Sequence, residues 1–369
     1  MYTYEWLTKD IENLKNENNN INISAICRTA LERDVKLIKI GHGDKRILYV
    51  GAHHGMEYIT SALLMEFASA LSALIQHGEN LFQRPIDTAS GKRLERCCSF
   101  YIIPMLNPDG VTISCEGVEK ALQYCDEHKK EEYSGLLKSA AHRAMKNGKE
   151  NSPNDSIFTH TAYRSEKDVY RRWQANGRGV DLNHNYSSGF SEYKSMELRE
   201  GRIYPAPTRY SGPYPESEAE SAALGSLIRG TGFSLMLTFH SQGGELYGSD
   251  FYDLGNIKDY YTCSGCDPLK SLKENGAGSD ILRRISDGYR RRCCERSVGR
   301  YIEKTSGYLR SIPEGAAAYG GLTDWYTDFY RKPAFTVEVG HGRNPLPMSA
   351  LNDIKKDLLF MMLTAPMIL

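Results

Sequence analysis

The sequence has no surplus of either charge. Its 46 Lys and Arg are balanced by 46 Asp and Glu, and the isoelectric point is about 7.1. That balance argues against a nucleic-acid binder built on overall electrostatics. A basic patch followed by an apolar run is missing from Met1-Tyr2-Thr3-Tyr4-Glu5-Trp6 and the residues after it, so no signal peptide is read there. Uninterrupted apolar runs of membrane-spanning length are missing too. Ile59–Leu74 is broken by Thr60, Ser61, Glu66 and Ser69, and Leu358–Leu369 is too short. No repeat or low-complexity tract stands out. The expectation is a soluble, cytoplasmic protein without nucleic-acid or membrane partners; the sequence leaves its oligomeric state open.

A disulfide framework is also not indicated. The nine cysteines are odd in number, and Cys97-Cys98 and Cys293-Cys294 are adjacent pairs, which fits reduced thiols better. Cys263-Ser264-Gly265-Cys266 together with Cys293 and Cys294 offers a second metal site as one reading, and free thiols in a surface insertion as the other.

What the chain does have is ordinary globular material: 369 residues, 40% hydrophobic and 25% charged. That is ample to bury a core. Residues 3–16 read as an amphipathic helix, and Ala25–Gly41 and Arg46–Val50 as strands. Gly51-Ala52-His53-His54-Gly55 then makes a turn into a helical pattern over Met56 to Gln76. Strand–turn–helix units of this kind commonly carry the site of an α/β protein. Phe100–Pro104 is a further strand, and Asn107-Pro108-Asp109-Gly110 reads as a turn. Glu216–Gly230 reads as a helix that Pro215 helps to start. Ser234–His240 and Pro333–Gly340 are buried strands, and Ala350–Met362 is a closing helix. Alternating strands and helices predict an α/β fold around a parallel or mixed sheet. One domain over 1–369 is expected, with polar insertions at about 116–170 and 250–304.

Four polar residues stand where apolar strands stop: His54 and Glu57 at the head of a helix, His240 at the end of one strand, and Glu338 within another. Two imidazoles and a carboxylate with an open fourth position describe a catalytic zinc site. A further carboxylate outside the ligand set can take a proton from water. Residues three apart on a first helical turn share a face, so His54 and Glu57 can reach one ion. Geometry alone leaves His53 open as well. Glu338 is the most informative of these, because an unpaired carboxylate in an apolar strand costs several kcal/mol.

In order along the chain come His54-Gly55-Met56-Glu57, Asn107-Pro108-Asp109-Gly110, Gly179-Val180-Asp181-Leu182-Asn183, Phe239-His240-Ser241, Gly320-Gly321-Leu322-Thr323-Asp324-Trp325 and Thr336-Val337-Glu338. That series resembles the carboxypeptidase A-like zinc carboxypeptidases, or funnelins. The resemblance implies an α/β/α sandwich around a mixed, twisted sheet and one catalytic Zn2+. It implies that His54, Glu57 and His240 hold the zinc, that Glu338 is the general base and acid, and that Asn183 holds the terminal carboxylate of a peptide substrate.

Departures from the family pattern shape the expected substrate. Where the exopeptidases carry an Arg clamp after Asn183, this chain has His184, which cannot make a fork-to-fork contact with a carboxylate. The Arg that the family often places after a Trp is replaced in Trp173-Gln174-Ala175-Asn176, so Arg172 or Arg178 is expected to supply that cation. The family's mobile tyrosine falls at Ala316, with Tyr319 and Tyr308 nearby, and its side-chain-pocket position falls at Thr323. These features, with Glu338-Val339-Gly340-His341-Gly342-Arg343-Asn344-Pro345-Leu346-Pro347, are similar to the γ-D-glutamyl-diaminopimelate peptidases. That branch implies hydrolysis of a cell-wall peptide between the γ-carboxyl of D-Glu and meso-diaminopimelate, with Asn183, His184, Arg172 and Arg178 as substrate-binding candidates. An ordinary carboxypeptidase, a zinc deacylase and an inactive binding relative are the competing readings. The arginines at 283, 284, 290, 291, 292, 296 and 300 read as a solvated helical face before an anion-attracting one.

Overall fold

The computed structural model describes residues 1–18, 21–82, 84–87, 89–147, 163–248, 295–311 and 319–369. Cys263, Cys266, Cys293 and Cys294, Ala316, and most of the arginine-rich segment lie outside the described residues.

Among the described residues the sheet has eight strands: β1 (Ile21–Arg28), β2 (Asp34–Ile40), β3 (Lys45–Gly51), β4 (Cys98–Ile103), β5 (Leu235–His240), β6 (Glu245–Gly248), β7 (Leu309–Arg310) and β8 (Ala334–Glu338). Their spatial order is β1-β2-β4-β3-β5-β8-β6-β7. The four central strands β4, β3, β5 and β8 run parallel, and β2 and β6 pair antiparallel to that block. The sheet is therefore mixed, as the resemblance implied. The expected strand over Ala25–Gly41 is two strands, because the turn between them is pinned by Asp109, which accepts from the Thr29 hydroxyl and the Leu31 amide.

Strict alternation of apolar side chains puts a core on each face of the sheet. Ile47 and Tyr49 of β3 and Leu235, Leu237 and Phe239 of β5 face the helices α1 (Tyr4–Glu17), α2 (Ile59–His77) and the C-terminal Leu351–Thr364. Leu48, Val50 and Met236 face Ala219–Thr231 and Leu322–Tyr330 on the other side. The result is an α/β/α sandwich. Helix α2, with the turn before it, is apolar and long enough to cross a membrane by length and composition, but 83% of its best window is buried in the first core. A third, smaller cluster lies under the expected 116–170 insertion, whose described part forms Val118–Ala121, Glu127–Asn147 and Glu166–Arg171 around Trp173 and Leu137.

Two local expectations are corrected. Asn107-Pro108-Asp109-Gly110 is not a free turn but the start of the helix Pro108–Glu116. The Asn107 side chain accepts from the Gly110 amide, and Pro108 occupies the first turn, where a missing N–H costs nothing. The helix expected from Glu216 begins at Ala219. Glu216 sits at φ 54°, and its amide donates to the Asn185 carbonyl, so Pro215 precedes a turn and not the helix.

Candidate metal centre

The chain runs out along β3 to β4 on one side and returns to β5 on the other, so the sheet has a switch point between β3 and β5. Open α/β sheets bind ligands beyond the strand ends at such a point. His54 follows β3, His240 ends β5, and Glu338 ends β8 in direct register with His240. Partners in a parallel register share a face, so both side chains rise on the same side of the sheet.

The His54 loop is held from behind. Asn107 donates its amide to the carbonyls of His53, Gln174 and Ala175, each at 3.0 Å. Gly55 packs directly on Gly110: a Cβ on Gly55 would lie 2.3 Å from the Gly110 carbonyl, so only glycine fits. This contact explains the Asn-Pro-Asp-Gly segment physically.

His54, Glu57 and His240 converge. His54 Nδ1 lies 2.9 Å from Glu57 Oε1, His240 Nδ1 is 3.1 Å from Glu57 Oε2, and the two Nδ1 atoms are 3.3 Å apart. Donors about 2.0–2.1 Å from a tetrahedral zinc stand roughly 3.3 Å from one another. The spacing and the N,N,O donor set therefore fit one zinc ion with a position left over for water or substrate. Among the described residues this is the cluster that fits a metal. His53, left open by spacing alone, is not in it: it is fully buried, stacks on the His240 ring at 5.2 Å, and approaches the Tyr186 hydroxyl at 3.5 Å.

Electrostatics follow from this crowding. Burial disfavours a charged His54, but the carboxylates of Glu57 and Asp181 outweigh it and raise its pKa well above the ordinary value. Glu57 is lowered to about 2 because His54 and His240 outweigh its burial. Glu338 is raised well above the usual carboxylate range, first by burial and then by the charge of Glu57. Glu245 lies opposite Glu338 in the β6–β8 register and pushes the same way, and the Tyr247 hydroxyl donates to Glu245.

Sequence reasoning missed Asp181. Its Oδ1 accepts from His54 Nε2 at 3.2 Å, which fixes the ring and leaves Nδ1 for a metal. Its Oδ2 accepts from the Arg209 amide at 2.9 Å. Its place in Gly179-Val180-Asp181-Leu182-Asn183, two residues before a named site residue, was the available signal.

The substrate-binding candidates fall in different places. Asn183 follows Asp181 in a short 3-10 turn, and its Oδ1 accepts from the Leu322 amide at 3.3 Å, which leaves its NH2 as the donor. His184 Nδ1 lies 2.8 Å from the Tyr319 carbonyl. Arg172 pairs with Asp168 at 2.7 Å and lies over the Tyr163 ring. Arg178 is half exposed and pairs with Glu218 at 3.7 Å. Tyr308 is buried, and its hydroxyl accepts from the Gly340 amide at 3.1 Å. Thr323 joins Thr238 and Thr336 in a triangle of hydroxyls 2.8–3.2 Å apart, two residues before His240 and Glu338 on the same face.

Comparison with known proteins agrees with this geometry. The chain is 25% identical over 358 residues to the gamma-D-glutamyl-L-diamino acid endopeptidase 1 of Lysinibacillus sphaericus, covering 97% of this chain and 70% of that protein. It is 24% identical over 334 residues to the uncharacterized protein YqgT of Bacillus subtilis (strain 168), covering 89% and 67% respectively. Among solved structures, the carboxypeptidase A of Helicoverpa armigera superposes with a TM-score of 0.57 at 14% identity, over 99% of this chain and 72% of that one. Thrombin-activatable fibrinolysis inhibitor superposes at 0.54 and 16% identity, over 99% and 72%. These solved structures share the fold. The zinc carboxypeptidase family model matches residues 7–360, nearly the whole chain, and so this protein belongs to the zinc carboxypeptidase (peptidase M14) family of zinc-dependent peptidases.

Proposed function

We propose that the protein hydrolyses the amide between the γ-carboxyl of D-Glu and a diamino acid, diaminopimelate first among them, in cell-wall-derived peptides. The observation that carries this reading is the likeness, over 97% of this chain and 70% of the relative, to a gamma-D-glutamyl-L-diamino acid endopeptidase. His184 supports it, since the residue after Asn183 is not the guanidinium that a generic C-terminal clamp requires.

In this reading His54, Glu57 and His240 hold the zinc, which when bound supplies Lewis acidity at the scissile carbonyl and at water. Asp181 fixes the His54 ring through Nε2. Glu338, in register with His240, takes the proton of the attacking water and hands it to the departing amine. Asn183 uses its amide NH2 to orient the leaving residue. The Thr238–Thr323–Thr336 triangle gives that residue a polar floor.

The test is cleavage by zinc-loaded protein of L-Ala-γ-D-Glu-meso-diaminopimelate beside a generic peptide with a free C-terminus. Release of diaminopimelate, lost in Glu338→Gln and after chelation, is expected. Cleavage of the generic peptide alone would return the protein to the ordinary carboxypeptidases, the reading that the retained Asn183 favours.

A further inference from the structure

The row of residues that carries the metal centre continues past Glu338. β8 pairs with β5 on one side and with β6 on the other, so His240, Glu338 and Glu245 form one row across three strands. The neighbouring row on the same face is Thr238, Thr336 and Tyr247. Residues opposite one another on paired strands share a face, and neighbouring strands lie about 4.8 Å apart. A group held at Glu338 therefore has His240 on one flank and Glu245 on the other.

Two acids directly opposite on paired strands repel. The charge of Glu57 already crowds Glu338 from the metal side, so Glu245 adds to an acidic wall. Among the described residues no cation pairs with Glu245. Its one partner there is the Tyr247 hydroxyl, which donates to Oε2 and also meets the Ser311 side chain. The side chain lies along Gly243, where a Cβ would come within 3.3–3.5 Å of Glu245 Cγ, Cδ and Oε2. Gly243 belongs to the loop that leaves His240, and Ser241 of that loop donates its amide to Glu57 at 3.2 Å. The half-buried carboxylate is thus settled against the metal-centre loop with one oxygen held and Oε1 open. A carboxylate offers acceptors only, and a cationic donor placed here would face two acids at once.

We propose that Glu245 selects substrates whose leaving residue carries a second, cationic amine, accepting from that amine on its open oxygen while Glu338 serves the scissile nitrogen. A diamino acid presents two nitrogens at the ends of one short chain, and the row presents two acids at adjacent positions. The neutral hydroxyls of Thr238, Thr323 and Thr336 supply no such discrimination. The choice of a γ-D-glutamyl-linked diamino acid rests on the reading given under Proposed function; the preference for a cationic leaving residue does not, since Glu245 would act in the same way on a C-terminal lysine of any peptide.

The test uses Glu245→Gln, which keeps the size and an oxygen for the Tyr247 hydroxyl while removing the charge. Glu245→Asp is the companion, with the charge on a shorter arm. Zinc-loaded proteins are given L-Ala-γ-D-Glu-L-Lys and the same peptide ending in L-norleucine, which has the chain without the amine. A second pair of generic peptides, with free C-termini, ends in Lys or in norleucine. Any general effect of the substitution on Glu338 falls on both members of a pair and cancels in the ratio of their kcat/KM values.

Wild type is expected to prefer the Lys member about 10- to 100-fold, the range of a charge-assisted hydrogen bond. The preference is expected to collapse toward unity in Glu245→Gln and to return in part in Glu245→Asp. Equal rates on Lys and norleucine in wild type, or a preference that Glu245→Gln retains, overturns the assignment. If only the generic pair is cleaved and its Lys preference is lost in Glu245→Gln, the role of Glu245 stands and the proposed γ-D-glutamyl reaction falls. If neither pair is cleaved, titration calorimetry with L-lysine and L-norleucine decides. Tighter binding of lysine that Glu245→Gln loses supports the assignment, and any other result overturns it.

Discussion

Replacing Glu220 by Gln should stabilise the protein, and by an amount that grows with pH. The Glu220 carboxyl is 1% exposed, close to the Asn176 amide at 3.4–3.5 Å and to two other acids, Glu218 and Asp109. Burial foremost, then the charges of Asp109 and Glu218, raise its pKa from 4.5 to about 8. The folded state therefore keeps a proton that the unfolded chain has released. A carboxyl raised in this way costs nothing below about pH 4.5 and destabilises progressively as pH rises, levelling off above about pH 8. At 1.36 kcal/mol per pH unit, the loss reaches about 3 kcal/mol at pH 7 and nearly 5 beyond pH 8. With an unfolding entropy of about 2.1 cal/mol/K per residue, a chain this long gains about 4 °C in Tm for 3 kcal/mol. The assay is thermal unfolding of wild type and Glu220→Gln at pH 5 and pH 8 with chelator present, so that titrating groups away from Glu220, Asp109 and Glu218 cancel in the difference. The variant should match wild type at pH 5 and exceed it by several degrees at pH 8. The same Tm difference at both values would refute the argument. The consequence reaches the site, because the Asn176 amide that meets Glu220 also caps the Arg178 and Val180 amides leading into Asp181.

Asp181→Asn should weaken zinc binding about 10- to 100-fold and also lower Tm, because a buried NH2 group would face either His54 Nε2 or the Arg209 amide; competition with a chromophoric chelator reads the first effect and thermal unfolding of the zinc-free protein the second. Gly55→Ala should lower both Tm and zinc affinity, since its Cβ would meet Gly110 backbone at 2.3 Å, and thermal unfolding with and without zinc separates the two effects. Tyr49→Phe should cost about 1–2 kcal/mol in urea unfolding, because it leaves the Met362 carbonyl without the 2.6 Å hydrogen bond it accepts in the core.

The metal centre was legible because its side chains break a strong pattern. His240 and Glu338 end apolar strands, and His54 and Glu57 share the first turn after another, so each stands out against its neighbours. The sandwich was legible for the same reason, through alternation on β3 and β5. What stayed hidden depends on contacts between distant segments. Asp181 acts on His54, 127 residues away, and a lone Asp in a loop carries no periodicity to betray it. The Arg209 amide holds the other oxygen of Asp181 from 28 residues away, which no local pattern encodes either. The late start of the Ala219–Thr231 helix has a similar cause. Proline favours a first turn locally, but the Asn185 carbonyl captures the Glu216 amide, and Asn185 Oδ1 meets the Glu218 amide at 3.3 Å.

The strand order has a further meaning in time. β8 is the last strand of the chain, yet it lies inside the sheet, bonded to β5 on one side and to β6 on the other. As the polypeptide is synthesised, His54, Glu57 and His240 emerge first and Glu338 comes last, on the strand that joins the two parts of the sheet. A version truncated before residue 334 would lose the join and Glu338 together, so under the proposed reading peptidase activity is expected only once the last strand has closed the sheet.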